Sequence, residues 1–320
     1  MFTLNKQHLG WLAFSFVCFI WGTNFISMKL ATMQVSPLQT VLLRVLFGFI
    51  PLVLCAIYQR QLAWSHWRYA HHFLVMSLLA TSIYYFGFAQ GASMLGSGVA
   101  GAISGAIPLF SLIAAILFLK DEAITRLKVL GTIVGFVGVV ILARPLEAST
   151  DGNNTFTGAC FMMLGAFSVG ISFVYAKRFV LPLQLSPLAL TTYQLGFALF
   201  TLLLITDTEN LMRITDDSLT LFSTVVGLGI LGTGVAYLCY YYIIATHGAL
   251  VAASSTFIPP IIALAIGTFI VNEPITLQDY VGACIILVAV GIIFYSNWLS
   301  GTPHQQQHLN PVNETLTEHS

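Results

Sequence analysis

The sequence predicts an all-α polytopic membrane protein with ten transmembrane helices in two inverted five-helix repeats. Three observations predict it. Of the 320 residues, 57% are hydrophobic and only 8% are charged, where a soluble domain carries roughly 25% charged residues; mean hydropathy is +0.87. Ten apolar runs reach the length, about 20 residues, that crosses a bilayer. The chain also repeats itself. "PLFSLIAAILFLKDEAITRLKVLG" from Pro108 returns as "PPIIALAIGTFIVNEPITLQDYVG" from Pro259, so Glu122 and Glu273, Ile124-Thr125 and Ile275-Thr276, and Gly131 and Gly282 match at one offset of 151 positions. With small slips the match continues upstream, setting Ser36-Pro37 on Ser186-Pro187 and Gly22, Phe25 and Lys29 on Gly170, Phe173 and Lys177.

The runs fall at 9–30, 36–58, 70–92, 97–119 and 127–143 in a first half, 1–148, and at 157–176, 187–206, 219–244, 249–271 and 278–298 in a second, 152–298. Lipid offers no hydrogen bonds to a peptide group, so each run must be a helix; the alternating pattern of a membrane barrel is missing. The first run is too long for a signal-peptide core and no small-residue cleavage site follows it, so it reads as a retained span. Five spans per half is an odd number. The second half therefore enters the membrane with opposite orientation, an arrangement that places binding sites near the midplane between the halves and suits alternating access.

Taken in order, the spans supply candidate site residues. In the first, Trp21, Asn24 and Met28 share one face, either as interhelical packing with Asn24 as polar glue or as a cavity wall. In the second, Arg44 lies eight residues beyond Ser36, roughly 12 Å deeper at 1.5 Å per residue. A charge there costs at least about 2.5 kcal/mol unless it is paired or watered. Arg44 is read either as a structural group bonded to backbone carbonyls at helix breaks or as an anchor for a carboxylate or phosphate. It aligns with Gln194 of the seventh span, as Asn24 aligns with Ser172 of the sixth. The third and eighth spans hold tyrosines: Tyr84 and Tyr85 in one, and Tyr237, Tyr240, Tyr241 and Tyr242 in the other. Some belong to an interfacial belt; Tyr84 and Tyr237 are expected to be the deeper ones, lining an amphipathic pocket with Gln90 and Tyr241. In the fourth span Ser97, Gly101 and Gly105 recur every four residues, and in the fifth Gly131 and Gly135. Such spacing lets backbones approach closely, and packing within one chain is preferred to a dimer face. Pro108 and Pro259-Pro260 break or kink their helices. Glu122 and Glu273 read as structural groups at membrane edges, beside Thr125 and Thr276, which can cap the next helices; Thr276 and Asp279 form a box-like pair.

Enzymatic readings find little support, since HExxH, CxxC and P-loop motifs are all missing, and no cofactor or metal is implied. Cys18, Cys55, Cys160, Cys239 and Cys284 are scattered without metal spacing and read as small apolar core residues. Net charge is zero and no basic cluster stands out, which argues against nucleic acid as a partner.

The residues also resemble a known family. "FIWGTNFISMK" in the first span, Ser36-Pro37 followed by Arg44, Pro108, and the two E-x-I-T junctions look like the EamA family of the drug/metabolite transporter superfamily, over about 290 residues. The resemblance implies two EamA-like repeats forming a ten-helix inner-membrane carrier, commonly an exporter of amino acids or related metabolites. It also sets a contrast. Small multidrug members of that superfamily exchange protons on a glutamate buried in the first helix, whereas the first span here contains no acid. The expected partners are thus a small-molecule substrate and the lipid bilayer, for a monomer or homodimer. The function expected is secondary transport, the alternative a non-transporting membrane scaffold or sensor.

Lysine and arginine in the short loops set the orientation. With the N-terminus inside, Lys6, Arg60, Arg68, Lys120, Arg126, Lys128, Lys177 and Arg178 lie inside and Lys29, Arg144 and Arg213 outside. Both termini are therefore expected in the cytoplasm, at a bacterial inner membrane, with residues 301–320 a disordered cytoplasmic tail. Reporter fusions at residues 210 and 305 are expected to report opposite compartments, outside and inside; matching compartments would sink the ten-span arrangement.

Overall fold

The computed structural model describes residues 6–118, 125–144, 154–247, 251–252 and 255–299. These residues are predominantly helical and contain no strand. We number the helices α1 (Lys6–Gln34), α2 (Pro37–Tyr58), α3 (Trp64–Met94), α4 (Ser97–Phe118), α5 (Arg126–Ala143), α6 (Asn154–Leu183), α7 (Pro187–Ile205), α8 (Ser218–His247), α9 (Pro259–Phe269) and α10 (Leu277–Leu299). Among the described residues nine of these are long and apolar enough to span a bilayer, and α9 is a shorter apolar helix. The expected span 249–271 is thus described only in part. The protein is an integral, polytopic membrane protein.

Helix starts follow from local chemistry. The two Ser-Pro pairs open α2 and α7 in the same way: proline takes the first helical turn, where its missing N–H is no loss, and the serine caps. Ser36 Oγ accepts from Gln39 N at 3.2 Å while Gln39 Oε1 accepts from Ser36 N at 2.9 Å, a complete capping box; Ser186 Oγ accepts from Ala189 N. Thr125 caps α5 through Lys128 N. Asp279 Oδ2 accepts from Thr276 N at 2.8 Å, as the box-like pair required, and Arg144 Nη2 reaches Asp279 Oδ1 at 2.8 Å.

Packing pairs the helices across the halves. α5 lies along α10, α2 along α8, α3 along both α6 and α7, and α1 along α8 and α9, while α4 is held between α6 and α9. Small residues make this possible. A Cβ at Gly101 would stand 2.1 Å from Ala263 Cβ, and one at Gly131 2.7 Å from Ile293 Cγ1. Both small-residue motifs therefore face partners inside the chain. The outward surface is apolar, with Ile133, Val137, Val140, Val288 and Leu204 all exposed, as expected for a wall facing lipid. Cysteine behaves less uniformly than composition implied. Cys18 is buried, but Cys160 and Cys284 are exposed, because a small apolar thiol is also tolerated on a lipid-facing side.

Three departures from regular helix matter for the site. α4 is interrupted at Gly105–Ala106, where backbone bonds tighten to three-residue closures, Gly105 N to Ala102 O and Ala106 N to Ile103 O. Pro108 lies just beyond, as expected of a residue that cannot donate to the preceding turn. α8 is π-helical from Ser223 to Val235, and α3 from Leu78 to Ser82.

A close backbone contact between α5 and α10 is Gly138, where an added Cβ would meet Gly282 O and Ile286 Cγ1, each at 2.8 Å. Gly138→Leu is expected to destabilise the protein by about 1–3 kcal/mol through overpacking. Val137→Leu, on the exposed side, should be nearly silent. Thermal unfolding of the detergent-purified protein measures both.

Candidate functional site

A cavity of about 630 Å³ lies between the halves, lined from α1, α2, α3, α4, α6, α7, α8, α9 and α10. Eight of the nine side chains singled out in the sequence line it: Trp21, Asn24, Arg44, Tyr84, Ser172, Gln194, Tyr237 and Tyr241. Gln90 does not. It stands two residues past Phe88, roughly 200° around the helix at 100° per residue, so a position near the pocket in sequence is turned away from it in space.

Arg44 is the only charged residue among those lining the cavity, and it is 6% exposed. It does not bond helix-break carbonyls. Its Nε donates to Thr233 Oγ1 at 3.0 Å, its Nη1 lies 3.9 Å from Met28 Sδ, and its guanidinium carbon sits 3.7 Å from the centroid of the Tyr85 ring. A guanidinium over an aromatic face gains up to about 2 kcal/mol when desolvated, an offset comparable to the lower estimates of its burial cost. The widened turns of α8 place Thr233: its hydroxyl donates to Leu228 O five residues back, at 3.0 Å, while accepting from Arg44.

Tyr85, rather than Tyr84, is the most buried of this tyrosine pair, at 2% exposure. The sequence puts both in reach of the pocket, and only the rotation of α3 after its π turn decides which meets Arg44. Tyr85 Oη lies 3.3 Å from Tyr237 Oη, and Tyr241 Oη hydrogen-bonds Thr191 Oγ1. Gln194 Nε2 donates to Thr81 Oγ1 at 2.8 Å. Ser172 Oγ turns back to Val169 O, which leaves its hydroxyl as an acceptor. Trp21 and Tyr240 set their rings 5.7 Å apart as one wall. Asn24 is 5% exposed; its Nδ2 donates to Gly232 O at 3.5 Å, whereas its Oδ1 finds no partner. Thr191 and Thr233 escape the sequence reading, which places Tyr85 and Tyr240 only in the tyrosine clusters and not among the site residues. The glycine-rich run Gly227–Gly234 was the available signal for an irregular helix there.

The cavity lining covers only part of each helix. Along α1 its lining stops at Met28, along α4 it starts at Ser104, along α9 it stops at Pro259, and along α10 it starts at Val290. The opposite end is clamped. Lys29 Nζ donates to Ser93 O at 3.1 Å and Leu95 O at 2.7 Å, satisfying carbonyls at the end of α3. Glu273, in the turn between α9 and α10, accepts from Ser97 N at 2.7 Å, Ser97 Oγ at 2.8 Å and Gly98 N at 2.9 Å. A carboxylate at a helix start satisfies orphan donors and meets the positive end of the dipole. Glu273 thus is structural, as expected, and acts across the halves. Its sequence counterpart, Glu122, lies outside the described residues.

Comparison with known proteins bears on what such a cavity is for. The profile of the EamA-like transporter family matches residues 8–144 and again 156–295. An uncharacterized transporter of Archaeoglobus fulgidus is 25% identical over 88% of this chain and 98% of its own length. A chloroplastic WAT1-related protein of Arabidopsis thaliana is 28% identical over 89% of this chain and 69% of its own. The inner membrane transporter YedA of Escherichia coli K12 is 26% identical over 63% of each chain. One crystal structure, at 16% identity, shares the fold with a TM-score of 0.57, covering 90% of this chain and 96% of that one.

The Arg44 stack supplies its own test. Tyr85→Leu removes the aromatic face beneath a buried cation and is expected to cost about 2–4 kcal/mol of stability. Tyr85→Phe keeps the face and should cost under about 1.5 kcal/mol. Equal losses, measured by thermal unfolding in detergent, would show that the ring contributes only volume.

Proposed function

The chain belongs to the EamA-like transporter family and is a membrane transporter; from that premise we propose that it is a secondary exporter of small metabolites, such as amino acids or related compounds, working by alternating access. The observation that carries the proposal is the cavity itself, walled by residues of both halves and closed near Lys29 and Glu273 by their hydrogen bonds.

Inverted repeats are supported by the pattern of helix contacts. Exchanging α1–α5 with α6–α10 turns the α3–α6 contact into α8–α1, α2–α8 into α7–α3, and α4–α6 into α9–α1, while α4–α9 and α5–α10 map onto themselves; every one of these contacts is made. The π-helical stretch of α3, shifted by the repeat offset, also falls inside that of α8. A two-fold arrangement of this kind lets the two halves exchange conformations around a fixed site. In that cycle the Lys29 and Glu273 clamp closes one gate, and its release opens the cavity to the opposite side. With the N-terminus inside, the clamp is the outer gate and the cavity faces the cytoplasm.

Substrate contacts are assigned to Arg44 as anchor for an anionic group, to Asn24, Ser172 and Gln194 as polar contacts, and to Trp21, Tyr84, Tyr237 and Tyr241 as an amphipathic wall. Energy coupling by a buried carboxylate has no support among the described residues, because the one charged group among the described cavity-lining residues is a cation, Arg44. Export then runs down the substrate's own gradient or by exchange.

Cells overproducing the protein are expected to resist a toxic metabolite analogue, and to retain less of it, in a resistance screen. Trp21→Ala, Tyr84→Ala and Tyr237→Ala should abolish that flux at near-normal membrane abundance. Arg44→Lys should impair it by tenfold or more, since Lys lacks the planar fork. In reconstituted vesicles an imposed pH gradient should drive no uphill accumulation of a neutral zwitterion. Wild-type flux in all four variants would move the site elsewhere, and binding without flux would favour a sensor.

A further inference from the structure

Building on the transport reading but narrowing its substrate away from amino acids, we propose that the transported species is a net monoanion: a small carboxylate with an apolar or aromatic body and no free ammonium group, moved as a charge-carrying uniport. Three observations bear on it. The cavity wall holds one formal charge, on Arg44, and no acid among its described lining residues. Arg44 has no ion-pair partner among the described residues, and hydrogen bonds engage only its Nε and Nη1, so Nη2 and the second Nη1 hydrogen are unused donors on a residue that lines the cavity. Asn24 Oδ1 is buried with no donor to it, the amide lying against Gly232 with Nδ2 3.5 Å from Gly232 O.

The chemistry of a ligand follows. A carboxylate fits the remaining edge of a guanidinium and makes a neutral pair with it, removing an unpaired charge from a low-dielectric site. A phosphate monoester carries about −1.5 to −2 charge at pH 7 and would leave the site net negative against a single cation. A zwitterion would bring its own ammonium into a wall that offers no carboxylate, only Asn24 Oδ1 and hydroxyls. Asn24 is better matched to one hydroxyl or N–H donor. Met28 touches Arg44 and stands one helical turn from Asn24 on the same face, so the two groups lie within reach of one small molecule. An aromatic 2-hydroxy acid satisfies all of them, its ring against the Trp21 and Tyr240 wall.

Electrical coupling follows from the charge. If Arg44 stays in the protein and a monoanion moves, each cycle carries one negative charge. A membrane that is negative inside then drives the substrate outward with no proton-binding acid on the pathway.

The test uses the full-length purified protein. A panel of monocarboxylates up to 3-phenyllactate, each with its neutral amide and its α-amino counterpart, is screened for binding by thermal shift and by tryptophan fluorescence. At least one acid is expected to bind at least tenfold more tightly than its amide and its amino acid. Arg44→Gln should remove that preference while Arg44→Lys retains part of it. In vesicles held inside-positive by a tenfold potassium gradient with valinomycin, at equal pH on both sides, the bound acid should accumulate about tenfold and phenylalanine should not. The proposal is overturned if no acid in the panel binds, if amides or zwitterions bind as well as acids, if Arg44→Gln leaves the preference intact, or if acid flux ignores the potassium gradient. Acid binding with no flux of any solute would leave the anion site standing and remove the transport reading. Flux of zwitterions without acid binding would do the reverse.

Discussion

Inside a bilayer a peptide group has no water to turn to, and the rest of this structure is arranged around that constraint. Regular helix meets it at no expense. Irregular backbone collects where side chains or the cavity can complete it. The break at Gly105–Ala106 borders Ser104, Ile107 and Pro108 of the cavity lining, and in the π-helical run of α8 the Thr233 hydroxyl takes up the Leu228 carbonyl. The chain ends of α3 and α4 are closed from elsewhere, by Lys29 and Glu273. Backbone accounting and site construction are in this sense one problem with one solution.

The buried guanidinium is the second organising element. Its surroundings are chosen from three helices: Met28 from α1, Tyr85 from α3 and Thr233 from α8, around Arg44 on α2. None of these partners carries a charge. A carboxylate in their place would hold Arg44 more firmly and would also neutralise it, leaving the cavity without any means of attracting an anion. A neutral aromatic face stabilises the cation while preserving its field, which is the distinction between a structural ion pair and a binding group.

Much of the architecture was legible in the sequence because membrane helices declare themselves by length and composition, and because Pro108 with Glu122 and Pro259 with Glu273 mark a duplication. Arg44 could be singled out for a similar reason, since a lone charge deep in an apolar run is expensive enough to require an explanation. What the sequence hides is rotation. Tyr84 and Tyr85 are adjacent, and a single π turn at Leu78–Ser82 decides which one is buried; the same angular arithmetic turns Gln90 aside. Thr233 is hidden differently, because a threonine among glycines carries no marker of its own until α2 is laid beside it.

The bond from Glu273 to Ser97 joins residues 176 positions apart. At about 5–20 residues per second of synthesis, the start of α4 waits on the order of 10–35 s for its carboxylate to be made. For that interval the first five helices sit in the membrane with exposed donors at one helix end and an arginine whose threonine partner is also still unmade. The first half is therefore not a finished domain to which a copy was later added. Each half thus supplies contacts that complete the other.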